Sequence, residues 1–482
     1  MADEYRMFIG GEWVGSESGA VFEATSPSSG EVIGTVPEGT RADAQRAIAA
    51  AGEAWQGWGA LSAFDRAAKL RRMAEIAAER REDLAHTLAL DQGKPLRAEA
   101  HDEVEELISY FEMAAEDATR LDGVIPPSVD RSKRVLLQRV PRGVVAAISP
   151  WNWPYTMPAE IVAPALAYGN AVVWVPAPTT SVCAVKLAEV VAEADVPPGV
   201  FNMVTGPGPV VGDEIAAHPE THAVGFIGSI ATGRSVAQRA AGKELLLEMG
   251  GNGPLVIMED ADLDAAVRGT LSACFLNAGQ SCTAGERILV HEDVHDDYLE
   301  RLADAVGRGI RLGDPFDDRT TMGPLNNPGV ADKTERHVGE ASERGARVQL
   351  GGRRSPELGS DLFFEATIVD EVTDEMEIAR EETFGPVAPV SRIRSEDEAI
   401  RLVNSSPYGL LSAIFTRDLR RGLRYAEAVR AGWVNVNEGT NYWESHLPFG
   451  GRAGSMSGVG RVGGRYSMER LTELKTVVVD VS

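Results

Sequence analysis

The chain has 482 residues, 44% of them hydrophobic and 25% charged, the composition of a folded globular protein and too long for a single core. With 47 lysines and arginines against 72 acidic residues the net charge is −25, a field that repels nucleic acid and anionic lipid and removes both from the expected partners. The opening "MADEYRMFIGGEWVG" lacks the basic-then-apolar pattern of a secretory signal, no apolar run is long enough for a membrane span, and three cysteines (Cys183, Cys274, Cys282) are too few for a disulfide framework, so a cytoplasmic location is expected.

In chain order, helical periodicity covers 41–57, 63–90 and 98–120, followed by strand-like β-branched runs at 143–149 and 171–175. A helix over 181–194 leads to strands at 223–226 and 253–257, a helix over 263–277, a strand at 287–290 and a helix over 294–307. Strands alternating with amphipathic helices predict an α/β fold with parallel sheets. Two extended stretches, 131–140 and 471–482, break the alternation. They can pair as an outlying antiparallel sheet whose open edge another subunit covers, or close as an edge hairpin within the monomer.

Four short stretches carry candidate chemistry. In "SPWNWP", Asn152 sits between two tryptophans and before a proline, a fixed amide donor or an ordinary turn asparagine. In "GFIGSIATG", Gly228, Ser229 and Gly233 open a helix after a strand, where a phosphate can bind. In "LLLEMGG", Glu248 ends an apolar run, and burial there raises a carboxyl pKa toward that of a general base unless a lysine pairs with it. In "EETFGPV", Glu382 can hold ribose hydroxyls and Phe384 can pack on a flat ring. Between the last two lies "FLNAGQSCTAGER", where Cys282 is either a packed thiol or a nucleophile.

The order and wording of these stretches resemble the aldehyde dehydrogenase superfamily over essentially the whole chain, from "FIGGEWV" to "LPFGG" and the final strand. The resemblance implies Cys282 as nucleophile, Glu248 as general base 34 residues before it, and Asn152 with the Cys282 backbone N–H as oxyanion hole. It places Ser149, Trp151, Val175, Gly228, Ser229, Met249, Glu382 and Phe384 along a nicotinamide cofactor. The substrate tunnel it implies is lined by Trp153, Met157, Glu160, Phe275 or Leu276, Ser281, Thr283, Trp443 and Phe449. The implied domains are a Rossmann-like NAD(P)-binding domain (1–122 and 142–251), an α/β catalytic domain (252–465) and a small β oligomerisation element (123–141 and 466–482), giving a homodimer or homotetramer. The implied reaction is oxidation of an aldehyde to a carboxylic acid through a cysteine thiohemiacetal and thioester. A CoA-acylating enzyme and an inactive binding protein on the same fold are the alternatives.

The chain departs from the family pattern at the ribose grip. "WVPAPTTS" has Val175 at the usual lysine and Pro178 at the usual glutamate, Ile227 replaces a hydroxyl residue in "FIGS", and Asn252 stands where lysine is common. NAD is the expected cofactor, with NADP tolerated because no glutamate bars a 2′-phosphate. No arginine or lysine occurs at the tunnel positions, so the expected substrate order is aromatic or medium-chain aliphatic aldehyde, then an aminoaldehyde through Glu160 or Glu444, then an acidic semialdehyde. "HEDVH", 291–295, matches a zinc-protease pattern, but it follows a strand instead of lying within a helix, so no metal is expected.

Overall fold

The computed structural model describes residues 3–482. Its first large sheet has eight strands, in the order Gly458–Val459, Glu244–Met249, Ala223–Gly228, Val144–Ile148, Ala171–Val175, Phe201–Met203, Met7–Ile9 and Glu12–Val14. The five from Glu244–Met249 to Phe201–Met203 are parallel, and the outer ones are antiparallel. Val144–Ile148 and Ala171–Val175 bury nearly every residue, as strands covered by helices on both faces must. From Val144–Ile148 the chain first builds the sheet in one direction through Ala171–Val175, then returns to add Ala223–Gly228 on the other side. That reversal opens a crevice beyond the carboxyl ends of Val144–Ile148 and Ala223–Gly228, where open α/β sheets bind ligands. The helix Thr156–Ala167 lies close over this region because residue 225 is glycine: a Cβ there would sit 2.5 Å from Ile161 Cγ2.

The second sheet has seven strands, in the order Arg347–Leu350, Thr367–Asp370, Val387–Ile393, Gly285–His291, Gly253–Ile257, Leu411–Phe415 and Trp433–Val436, parallel except for the first pair. Lys133–Pro141 and Thr472–Asp480 form a separate antiparallel ribbon, paired from Pro141 with Thr472 to Lys133 with Asp480. The two stretches that broke the α/β pattern therefore do pair with each other. From the stretch 252–465, the short strand Gly458–Val459 crosses to the first sheet and hydrogen-bonds beside Glu248.

Two helix expectations need correction. The predicted helix 63–90 is two helices, Ala63–Glu79 and Arg81–Asp91, separated where Arg80 leaves helical dihedrals (φ −102°, ψ 16°). Its sequence contains no glycine or proline stop; the second helix is turned by packing against Ser181–Glu193, and Arg80 is tied to Glu189 and Glu193. The helix predicted over 263–277 ends at Phe275, because Asn277 and Ala278 both take left-handed φ (51° and 53°). Among the described residues no helix is long and apolar enough to cross a membrane.

Candidate active site

Cys282 lies on the loop between the helix Leu263–Phe275 and the strand Gly285–His291, and it is the only one of the three cysteines that is not fully buried. The loop is fixed from within. Asn277, Ala278 and Gly279 are left-handed, and a Cβ on Gly279 would lie 2.1 Å from the Gly385 carbonyl. Gln280 is fully buried, donating to the Asn277 carbonyl (2.8 Å) while its own side-chain carbonyl accepts the Asn326 N–H (2.8 Å). The hydroxyls of Ser281 and Thr283 bond each other at 2.7 Å and brace the two sides of Cys282. Such a turn presents the thiol between two hydroxyls that are engaged with each other.

Asn152 follows the strand Val144–Ile148 and faces this loop. Its amide donates one hydrogen to the Gln280 carbonyl (3.1 Å), and its backbone carbonyl accepts from Asn277 Nδ2 (2.9 Å). An amide nitrogen carries two hydrogens, so one fixes the side chain and one remains for a ligand. Glu248 comes from the strand Glu244–Met249 and is buried, and its Oε1 has no hydrogen-bond partner. Burial, with Glu160 and Glu382 nearby, pushes this carboxyl well above the usual range, while the Cys282 thiol acts in the opposite sense. Burial and Glu248 in turn push the thiol up. The two glycines after Met249 let the site close. A Cβ on Gly250 would lie 2.7 Å from the Glu382 carboxylate, and one on Gly251 would lie 2.3 Å from the Cys282 carbonyl.

Two cavities meet at Cys282, Glu248 and Met157. The first, about 700 Å³, extends from Asn152 to Trp151, Gly228, Ser229, Glu382 and Phe384. Ser229 caps the helix Ile230–Arg239 by accepting the Thr232 N–H, and a further groove of about 1020 Å³ runs along that helix past Thr232 and Arg239. Glu382 accepts the Gly251 N–H (2.9 Å), and burial pushes its carboxyl up to about 7 against the opposing pull of Lys333. Phe384 sits at φ 61° with its ring edge-on to Trp151 at 5.5 Å.

Two residues that sequence reasoning missed hold this wall. Buried Glu286 accepts the N–H groups of Thr383 (2.8 Å) and Phe384 (2.7 Å), and Lys333 enters the cavity from the helix Pro328–Glu343. The only sequence trace of Glu286 was its place in "TAGER", which reads equally well as the first charged residue of a strand. Asn252, in place of the common lysine, directs its amide toward Glu286 (3.4 Å) and the Glu381 carbonyl (3.2 Å).

Ser149, Val175 and Met249 line neither cavity. The Ser149 hydroxyl accepts the Trp174 indole N–H (2.9 Å), Val175 packs in the core beneath the strand ends, and Met249 fills the space left by Gly233, where a Cβ would lie 2.2 Å from its sulfur. The second cavity, about 440 Å³, brings together the predicted Trp153, Met157, Glu160, Ser281, Thr283, Trp443 and Phe449. It takes Leu276 and leaves Phe275 in the core, and it adds Asn441 from the loop after the last strand of the second sheet. Glu160 does not point to solvent: it is 4% exposed and accepts a hydrogen bond from Tyr110. Glu444 is instead bonded to the exposed Tyr442 hydroxyl.

Residues 13–477 match the model of the aldehyde dehydrogenase family. The chain is 40% identical over 472 residues to the 3-sulfolactaldehyde dehydrogenase of Pseudomonas putida, covering 98% of this chain and 96% of that protein. It is 39% identical over 473 residues to the NADP(+) succinate-semialdehyde dehydrogenase of Escherichia coli K12, covering 98% and 97%. The chain belongs to the aldehyde dehydrogenase family. A solved relative, the betaine aldehyde dehydrogenase of Staphylococcus aureus in complex with NAD+, superposes with a TM-score of 0.95 at 35% identity, covering 99% of this chain and 95% of that one.

This aldehyde dehydrogenase is an NAD(P)-dependent enzyme, and its residues fit that cofactor class. A dinucleotide needs a helix N-terminus for its pyrophosphate, space for two nucleosides and a polar group for a ribose. The helix capped by Ser229 stands between the first cavity and the groove beyond it, and Glu382 lies at the end nearer Cys282. The stretch 175–178 adds only apolar side chains, so the usual ribose grip is absent on that side. "HEDVH" carries none of this chemistry. His291 ends the strand Gly285–His291 and His295 begins the helix His295–Gly309, where its ring bonds Asp370 (2.9 Å) and Asp296 (3.0 Å).

Proposed function

We propose that the enzyme oxidises an aldehyde to a carboxylic acid by covalent catalysis at Cys282, with water and not CoA as the final acceptor. The observation that carries this reading is the meeting of a reachable thiol, an unpartnered buried carboxyl and a half-free amide where the two cavities join. Glu248, once ionised, takes the Cys282 proton, and the thiolate bonds the aldehyde carbon. The free hydrogen of the Asn152 amide and the Cys282 backbone N–H hold the resulting oxyanion. When bound, the nicotinamide supplies the hydride acceptor. Once it has lost the Cys282 proton, Glu248 deprotonates a water that attacks the Cys282 thioester; the C–S bond breaks with its electron pair on sulfur, and the acid leaves. Cys282→Ala is expected to abolish oxidation. Glu248→Gln is expected to give a burst of reduced cofactor and then slow turnover, which rapid-mixing absorbance measures directly; equal loss of both phases would place Glu248 elsewhere in the cycle.

Support for the substrate class comes from the tunnel wall. Trp153, Trp443, Phe449, Met157 and Leu276 are apolar, and the charged groups on the wall, Glu160 and Glu248, are both acidic. The relatives named for sulfolactaldehyde and succinate semialdehyde have acid-bearing substrates, yet this wall offers no lysine or arginine to a distal carboxylate. The proposed order therefore remains aromatic or aliphatic aldehyde, aminoaldehyde, acidic semialdehyde. Values of kcat/KM for benzaldehyde, hexanal, an aminoaldehyde and succinic semialdehyde, with NAD and with NADP, test it. A tenfold preference for succinic semialdehyde, about 1.4 kcal/mol in the transition state, would overturn it. NAD is proposed as the better cofactor, because no basic group stands within 175–181 to attract a 2′-phosphate.

The stretches 123–141 and 466–482, whose strands Lys133–Pro141 and Thr472–Asp480 pair as the ribbon, are proposed as a self-association element. The proposed division of the remainder is a cofactor domain over 1–122 and 142–251 and a catalytic domain over 252–465.

A further inference from the structure

Glu160 forms part of two cavity walls. On one side it lines the substrate tunnel with Glu248 and Cys282. On the other it lines a separate cavity of about 240 Å³ together with Tyr110, Asp117, Pro164 and Gly464. The Tyr110 hydroxyl, on the helix His101–Ala118, donates to Glu160 Oε1, and no other hydrogen bond to the Glu160 carboxyl occurs among the described residues. Asp117, at the far end of the same helix, is a half-buried residue of this outer cavity's wall.

The proposed hydrolysis leaves Glu248 with a problem of disposal. An O–H bond of water breaks as its oxygen bonds the thioester carbon. The proton goes to Glu248, and the C–S bond later breaks with its electron pair on sulfur. Glu248 has already taken the Cys282 proton, and the departing thiolate takes back only one of the two, so one proton must leave Glu248 in each cycle before it can act on water, yet its Oε1 has no hydrogen-bond partner. Apart from the Cys282 thiol, the titratable group sharing the tunnel with it is Glu160.

We propose that Glu160 discharges the buried base, taking the proton from Glu248 through a water in the tunnel and releasing it to the outer cavity, with Tyr110 as its positioning residue. The inference rests on the reading of Glu248 as general base. The transfer conserves protons and needs no oxidant or reductant. Burial brings the Glu160 carboxyl to about 7, so at neutral pH it is poised both to accept and to give. The other charged groups near it are Glu106 and Glu103 from the helix of Tyr110, Lys94 paired with Glu103, and Asp117 on the outer cavity, with the charge of Arg465 close to it. None of these lines the tunnel with Glu248.

The test is Glu160→Gln, which keeps shape and removes proton transfer. The burst of reduced cofactor should persist while steady-state kcat falls by at least about tenfold, and added imidazole should restore turnover. Glu160 also raises the pKa of Glu248, so in Glu160→Gln the rise of kcat with pH should move to lower pH even as its plateau falls. Tyr110→Phe should show a smaller loss with the same rescue, and it carries the decision if Glu160→Gln does not fold. An unchanged kcat–pH profile, a loss that imidazole does not restore, disappearance of the burst, or a KM change confined to charged aldehydes would each overturn the proposal; the last would make Glu160 a substrate selector. A failure of the general-base reading shows separately, as absence of the burst in Glu248→Gln.

Discussion

At the scale of single residues, reactivity is set by what each side chain is denied. Cys183 and Cys274 are buried, the first beside Asp91 and Tyr155 and the second against the Gly285 carbonyl, and burial pushes both thiols far up. Cys282 feels the same upward push but opens onto a cavity and faces a carboxyl able to remove its proton. Asn152 is denied rotation, because the Gln280 carbonyl takes one amide hydrogen and Asn277 grips its backbone. Asn152→Ala should therefore lower kcat by about 10²- to 10³-fold, the loss typical of one oxyanion donor. Because the side chain donates only one protein hydrogen bond, the melting temperature should fall by no more than a few degrees. A loss of kcat below tenfold in steady-state assays would assign the oxyanion to the backbone N–H alone. These residues were legible in the sequence because each lies inside a short motif, Asn152 beside Trp151 and Trp153, which line the two cavities, and Cys282 beside Gln280 and Ser281, which hold its loop.

At the scale of elements, the site is assembled from the carboxyl ends of the first sheet and the amino ends of the second. Asn152 follows Val144–Ile148 and Ser229 follows Ala223–Gly228, whereas Cys282 precedes Gly285–His291 and Phe384 precedes Val387–Ile393. What the sequence hid lies at these junctions. Glu286 touches the 383–384 backbone from about a hundred residues away, Lys333 reaches in from a helix that carries no motif, and Tyr110 meets Glu160 across two helices. No local pattern marks such contacts, since they depend on how one element packs on another. The break at Arg80 is of the same kind: a strongly helical sequence is interrupted by its neighbours and not by its own residues. Glu286→Gln tests this level. A carboxylate accepts both N–H groups with its two oxygens, while an amide has one acceptor oxygen and would point N–H against N–H. The 382–384 loop should loosen, raising KM for the cofactor several-fold with a smaller effect on kcat; initial rates across a cofactor titration check this.

At the scale of the whole molecule, the outlying ribbon is unlike any other part of the surface. Leu474, Val478, Val479 and Val481 are 41–61% exposed, and Val124, Ile125 and Val129 near its other strand are exposed to 59% or more. Elsewhere the exposed large apolar side chains occur singly or, like Leu419 and Leu423 on one helix, in pairs, and such groups are common on any surface. Several apolar groups on one two-stranded ribbon, Leu474 and Val478 on one face and Val479 on the other, are different, because a lone ribbon is marginal in water and its open strand edge invites pairing. The two strands are tied to each other at the base, where the Thr472 hydroxyl accepts from Arg139, and at the tip, where Lys133 pairs with Asp480. Neither bond covers the exposed apolar side chains. With a net charge of −25 per chain, like charges repel any pair of copies, so association must come from apolar burial and should strengthen as salt screens that repulsion. Leu474→Asp with Val478→Asp should shift the enzyme from a dimer or tetramer to monomer in sedimentation velocity at micromolar concentration. Neither position lines the cavities at Cys282 or the one beyond Glu160, so the dispersed protein should keep its burst of reduced cofactor. Wild-type enzyme that sediments as a monomer at low and high salt would show instead that the ribbon serves the monomer alone.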